Sequence, residues 1–254
     1  MIYRGITMKH TKIIMGMPIT IEIVDTVDPK VFEEAFNYFK NVDDKFSTYK
    51  EASEISRINR GEVVPSQFSS EMTHIFDLAE KTKAETNGYF DIKKPDQTLD
   101  PSGIVKGWAI YQVAEILNKR KIKNYYVEAG GDLQVSGRNH DGKKWRVGIK
   151  NPFVQNEIVK VLLVETQGVA TSGTYIRGNH IYNPKTKKEA TEIASLTVVG
   201  PNIYEADRFA TAAFAMGLDG INFIEQLQGF EGYLIDKNGI GTATSGLLRY
   251  TKEQ

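Results

Sequence analysis

The chain has 254 residues, enough for one large domain with a real core or for two small ones. Its 32 basic residues are balanced by 32 acidic ones, which argues against non-specific binding to nucleic acid or to a membrane surface as its main task. There is no cysteine, which excludes disulfides, thiolate metal sites and thiol catalysis together.

The N-terminal MIYRGITMKHTKIIMGMP has no apolar core of signal-peptide length, and no later run approaches a membrane span. MPITIEIVD then alternates Ile19, Ile21 and Ile23 with more polar neighbours, the pattern of a half-buried strand. Asp28 and Pro29 open a helix whose apolar positions Val31, Phe32, Ala35, Phe36, Phe39 and Val42 keep helical spacing. A second helix is expected over 70–87, with Gly88 as its stop. GYFDI and LDPSGIVKG follow, leading into a helix around 108–118. After residue 120 the pattern turns mostly to strands: NYYVEA, WRVGIK, IVKVLLVE and ASLTVVG. A helix over 205–217, ending at Gly217, interrupts them, and another is expected over 219–228. GYLID, a turn at Asn238 and Gly239, and a last strand close the chain. Clustered helices and strands without regular alternation indicate an α+β fold, and no repeat or linker divides residues 1–254, so one domain is expected.

Several segments are too rich in glycine and polar residues to be plain connections. In EADRFATAAFAMG, Asp207 and Thr211 lie four apart and share one face of an otherwise apolar helix. A carboxylate there is costly to bury without a cation or several donors, unless Asp207 merely caps the helix and Thr211 returns its hydroxyl to a backbone carbonyl. LDPSGIVKG sets Asp100, Ser102, Gly103 and Lys106 at a helix start, where backbone donors and a lysine can hold a phosphate. Its glycine spacing is not that of a P-loop, and a capped helix with an exposed lysine is the alternative. EAGGDLQVSG places Gly130 and Gly131 after a strand, between Glu128 and Asp132, suited either to close approach of a ligand or to a simple turn. VATSGTYIRGNHIYNP gathers Thr171, Ser172, Gly173, Arg177 and His180; the histidine suits a general base near neutral pH or a structural role. Tyr49, in a polar loop between helical segments, offers an aromatic face for stacking or for packing.

Taken in order, MGMPITI, FSTYKEASEISRIN, GYFDI, LDPSGIVKG, VEAGGDLQVSG, VATSGTYIR with HIYNP, and EADRFATAAFAMG resemble the FAD:protein FMN transferase, or ApbE, family over residues 15–217. The resemblance implies a T-fold-like arrangement of mixed and antiparallel sheets packed with helices. It also implies magnesium-dependent cleavage of FAD, with FMN joined through its phosphate to a threonine of a target protein and AMP released. Under it, Asp207, Thr211 and the Gly103 carbonyl bind magnesium, and His180 and Asp207 are catalytic. Met17, Ser47, Tyr49, Asp91, Lys106, Glu128, Gly130, Gly131, Asp132, Thr171, Ser172 and Gly173 bind FAD. The chain departs from the family pattern at Arg208, where the metal motif has alanine, at Asn183, where aspartate is usual, and at LDPSG in place of Asp-Leu-Gly-Gly. A magnesium-dependent FAD pyrophosphatase and a non-catalytic FAD-binding protein are the alternatives. The expected address is cytoplasmic, or extracytoplasmic and anchored if a leader was removed. NGIGTAT also approximates the acceptor motif of the family's targets, with Thr244 at the modified position, although a hairpin turn accounts for the same residues.

Overall fold

The computed structural model describes residues 7–174 and 182–251. A hairpin, β1 (Met8–Ile14) and β2 (Met17–Ile23), precedes four helices: α1 (Lys30–Phe46), α2 (Glu54–Asn59), α3 (Ser70–Glu85) and α4 (Ser102–Lys119). Two more hairpins follow, β3 (Tyr125–Ala129) with β4 (Asp132–Ser136) and β5 (Trp145–Lys150) with β6 (Ile158–Val164). Then come β7 (Gly168–Gly173), the short β8 (Tyr182–Asn183) and β9 (Lys188–Glu189), and β10 (Ile193–Gly200). The last elements are α5 (Ile203–Ala215), α6 (Gly220–Gln226), β11 (Glu231–Asp236) and β12 (Gly241–Ala243). Eight strands form one sheet in the order β1-β2-β3-β4-β7-β10-β11-β12, and every neighbouring pair in it is antiparallel.

The apolar stripe of α1 is buried as its spacing requires, and α1, α4 and α5 cover one face of the sheet together with Ile19, Ile21, Ile23, Val127 and Leu196. The β5–β6 hairpin covers the opposite face, where Trp145, Val147 and Ile149 meet Leu133, Val135, Val169 and Val199. Because β10 lies under both layers, all eight of its residues are buried, which explains why ASLTVVG reads as an unbroken apolar run.

Local chemistry fixes the helix ends. Ser53, Ser69 and Asn202 accept backbone N–H groups at the starts of α2, α3 and α5. The α5 terminus receives a second partner from the sheet, since Ile203 N donates to the buried side-chain oxygen of Gln134, 2.8 Å away. Gly217, at φ +68°, lets the chain leave α5 through the left-handed region. The structure differs from the sequence expectations in four places. β1 was not anticipated, because its five central residues are exposed and carry no alternation. α2 is a helix of six residues, too short to show a period. α4 starts at Ser102 and not near 108, since its first turns carry two glycines that serve packing against α5. Thr171, Ser172 and Gly173, in a segment rich in glycine and polar residues where no regular element is expected, lie on β7.

Candidate functional site

At one end of the large sheet, the β1–β2 and β3–β4 turns, the end of β7, and the facing parts of α4 and α5 surround a cavity of about 580 Å³. That volume falls within the range that holds a small-molecule ligand. Twelve of the site residues expected from the sequence line it: Met17, Asp91, Gly103, Lys106, Glu128, Gly130, Gly131, Thr171, Ser172, Gly173, Asp207 and Thr211. Residues separated by almost 200 positions in the chain thus share one wall.

The centre of the cavity is the seam between α4 and α5. Asp207 is the fifth residue of α5 and is buried, and the helix is capped by Asn202, so the capping role for Asp207 does not hold. Its Oδ2 accepts the backbone N–H of Gly107 in α4 at 2.8 Å. A regular helix offers that amide to the carbonyl four residues earlier, which is Gly103, so the carboxylate competes for the donor and leaves lone-pair capacity on Gly103 O. Thr211, one turn along α5, points its hydroxyl at that same carbonyl from 3.5 Å, the outer limit of a hydrogen bond. Glycine is required in this seam. A Cβ on Gly107 would lie 2.6 Å from Asp207 Cβ and 3.0 Å from Ile203 O, and one on Gly103 would lie 3.2 Å from Thr211 Cγ2.

Lys106 supplies the positive charge. Its Nζ is 2.6 Å from Asp132 Oδ2 and 4.0 Å from Asp207 Oδ1. Burial pushes the Asp207 carboxyl up to about 7; Lys106 opposes the rise, while the neighbouring Asp132 carboxylate adds to it. A carboxylate, a hydroxyl and a backbone carbonyl, all oxygen, with Lys106 the cationic group beside them among the described residues, suit a hard divalent cation such as magnesium that keeps waters or substrate oxygens in its shell. Among the described residues no cluster of three or more His, Cys, Asp or Glu could hold a metal.

The rim is built from turns. Gly130 (φ +60°) and Gly131 (φ +99°) let β3 reverse, and a Cβ on Gly130 would strike Met17 Sδ at 2.8 Å. Glu128 accepts the Gly131 N–H at 2.8 Å. Opposite, Asp91 pairs with Lys83 at 2.7 Å, and Asp100 pairs with Lys94 at 3.0 Å while accepting the Ser102 N–H. Burial works against the Asp100 carboxylate, but Lys94 and Ser102 prevail and hold it below the usual range. Tyr89, Phe90, Ile92, Lys94, Lys150, Tyr182 and Pro184 also line the cavity and were not singled out in the sequence. Only GYFDI pointed toward the first three; Lys150 ends an ordinary alternating strand and gave no signal of its own.

Of the other four expected site residues, three are described and stand outside this wall. His180 lies outside the described residues. Asp132 is 1% exposed and stands behind Lys106. Ser47 and Tyr49 are absent from the lining: Ser47 accepts the Tyr49 N–H in a local turn, and Tyr49 is 96% exposed. Two of the three departures from the family pattern, Arg208 and Asn183, have structural partners. Arg208 turns away from the cavity, donates to Glu205 and Glu85 and lies over the Phe209 ring. Asn183 accepts the Lys185 N–H at 2.9 Å and so holds the β8–β9 turn, a task for its side-chain oxygen that needs no charge. Thr244 is buried, donating to Glu231 and accepting the Gly232 N–H at 2.9 Å, so the hairpin reading of NGIGTAT holds and the hydroxyl is closed to modification in the folded chain.

The ApbE family model matches residues 15–94 and 92–234. The FAD:protein FMN transferase of Haemophilus influenzae is 27% identical over 319 aligned positions, covering 96% of this chain and 92% of that protein. Two solved structures share the fold. The flavin transferase ApbE from Vibrio cholerae superimposes with a TM-score of 0.83 at 24% identity, covering 96% of this chain and 100% of that one. The ApbE protein from Thermotoga maritima gives 0.85 at 20% identity, covering 98% and 100%.

Proposed function

This chain belongs to the ApbE family, and on that premise we propose that it is an FAD:protein FMN transferase which joins the FMN half of FAD to a threonine of an acceptor protein. The observation that carries the reading is the meeting of Asp207, Thr211, the Gly103 carbonyl and Lys106 in one cavity wall of small-molecule size. In the reaction the acceptor hydroxyl attacks the flavin-side phosphorus of FAD, the bridging P–O bond breaks, and AMP leaves with the bridging oxygen. A magnesium ion held by Asp207, Thr211 and Gly103 O would supply Lewis-acid stabilisation of pyrophosphate charge.

The chain's own groups account for the remaining work. Lys106, reaching from the first turns of α4, adds a fixed positive charge beside the leaving phosphate. The turn of Gly130 and Gly131 lets backbone come close to a ligand, and Thr171 to Gly173 give the cavity a hydroxyl-bearing edge. A threonine hydroxyl is a poor nucleophile until its proton is taken, and the family resemblance assigns that part to His180.

Incubation with FAD and an acceptor domain, with and without magnesium, tests the reading by intact-mass spectrometry and nucleotide chromatography. The expected result is a magnesium-dependent increment of one FMN on the acceptor with AMP released, both lost in Asp207→Ala. Free FMN and AMP with an unmodified acceptor would instead establish a pyrophosphatase, and bound, intact FAD a binding protein.

A further inference from the structure

Lys106 presents a difficulty for the cation site it adjoins. An ammonium 4.0 Å from Asp207 Oδ1 needs only a small rotation to form a direct ion pair with that carboxylate, and a lysine so placed would occupy the ligand a cation requires. On the other side of the ammonium stands Asp132. This carboxylate sits at the first position of β4, is 1% exposed and is not part of the cavity lining. Its Oδ1 accepts the Thr171 N–H of β7 at 2.9 Å, which fixes the side chain between two strands. Its Oδ2 is buried without a regular hydrogen bond, and the Lys106 ammonium 2.6 Å away is the charge that offsets it.

We infer that Asp132 is a positioning residue: it draws the Lys106 ammonium toward the sheet and keeps it short of Asp207, so that the Asp207 carboxylate stays open to a divalent cation. The inference rests on the cation site proposed above. It separates the two charges of the site by function. Lys106 remains within reach of an anionic ligand in the cavity, while the negative charge needed by the cation is not consumed by the lysine.

The test is a double-mutant cycle read by binding and not by turnover. Mn²⁺, a hard cation with the oxygen preference of magnesium, is titrated into the full chain and the free ion is followed by electron paramagnetic resonance. Wild type, Asp132→Asn, Lys106→Met and the double variant are compared, with thermal melts confirming that each is folded. Asparagine keeps an oxygen for the Thr171 amide but presents an N–H to the ammonium. With Lys106 present, Asp132→Asn is expected to weaken Mn²⁺ binding by about tenfold or more, the scale of moving a like charge from 4.0 Å into contact with a ligand oxygen. In the Lys106→Met background the same change should alter binding by no more than about threefold, because no ammonium remains to collapse onto Asp207. Equal losses in both backgrounds would mean that Asp132 acts only through its own charge, and would overturn the inference. Lys106→Met alone provides an independent arm should Asp132→Asn not fold: it is expected to bind Mn²⁺ at least as tightly as wild type, and weaker binding overturns the inference as well. Wild-type protein that takes up no Mn²⁺ removes the cation site itself, an outcome distinct from either.

Discussion

Replacing Gly107 by alanine separates the stability of the α4–α5 seam from its chemistry. In an unconstrained helix the change stabilises by about 1 kcal/mol through helix propensity. Here the new methyl would sit 2.6 Å from Asp207 Cβ, 2.8 Å from Asp207 Oδ2 and 3.0 Å from Ile203 O, where carbon contacts normally stand at about 3.5–4.0 Å. Neither a Cβ nor a helix carbonyl can rotate aside, so the helices must part by roughly an ångström, an overpacking cost of about 1–3 kcal/mol. The two terms nearly offset, leaving a loss of about 0–2 kcal/mol in urea unfolding. The effect on activity should be far larger. The Asp207–Gly107 hydrogen bond of 2.8 Å is broken and the carboxylate displaced, and misplacement on that scale costs about 100-fold in rate. FMN transfer at saturating FAD and magnesium, measured beside the unfolding curve, decides the matter: a Gly107→Ala protein with wild-type turnover would refute the claim that this glycine holds Asp207 in place.

Other outcomes follow from the same geometry. Because the Asp207 carboxyl titrates at about 7 in the folded protein against 3.8 as its reference value, the folded state holds the extra proton between those limits; metal-free stability should fall as pH rises from about 4 to 7 and then level, and Asp207→Asn should remove that slope from pH-dependent melts. Cation uptake displaces that proton, so magnesium affinity should rise with pH up to about 7 and flatten above it, with proton release visible by calorimetry in buffers of different ionisation enthalpy. Gln134→Ala strips a side-chain acceptor from the buried start of α5 and should destabilise by about 1–3 kcal/mol in chemical denaturation. Thr244→Ala should leave FMN transfer unchanged while lowering stability by about 1–3 kcal/mol, since Glu231 and the Gly232 amide lose a buried partner; mass analysis of the wild type after incubation with FAD should show no modification at Thr244.

Elements with a buried face were legible in the sequence. Phe32, Phe36 and Phe39 marked α1 because one face packs on the core, and Ile19, Ile21 and Ile23 marked β2 for the equivalent reason with a period of two. The edge strand β1 is exposed over its five central residues and left no pattern. At the site, Asp207 and Thr211 were readable as one helical face, and glycines marked the turns. Which helix Asp207 would meet was not readable, since its amide partner lies 100 positions away. Asp132 illustrates the limit of residue-type reasoning: the sequence grouped it with the ligand-binding turn, and only its burial behind Lys106 distinguishes a supporting carboxylate from a lining one.

That separation of 100 positions between Gly107 and Asp207 has a consequence for the lifetime of the protein. An unfolded chain cannot assemble oxygens from two remote helices, so ligands of this cavity select the native state alone, and each tenfold excess of free ligand over its dissociation constant adds about 1.4 kcal/mol against unfolding. Susceptibility to proteolysis through the open state falls by the same factor of ten. Ligand supply would thereby act on the stability of the fold through the seam of α4 and α5.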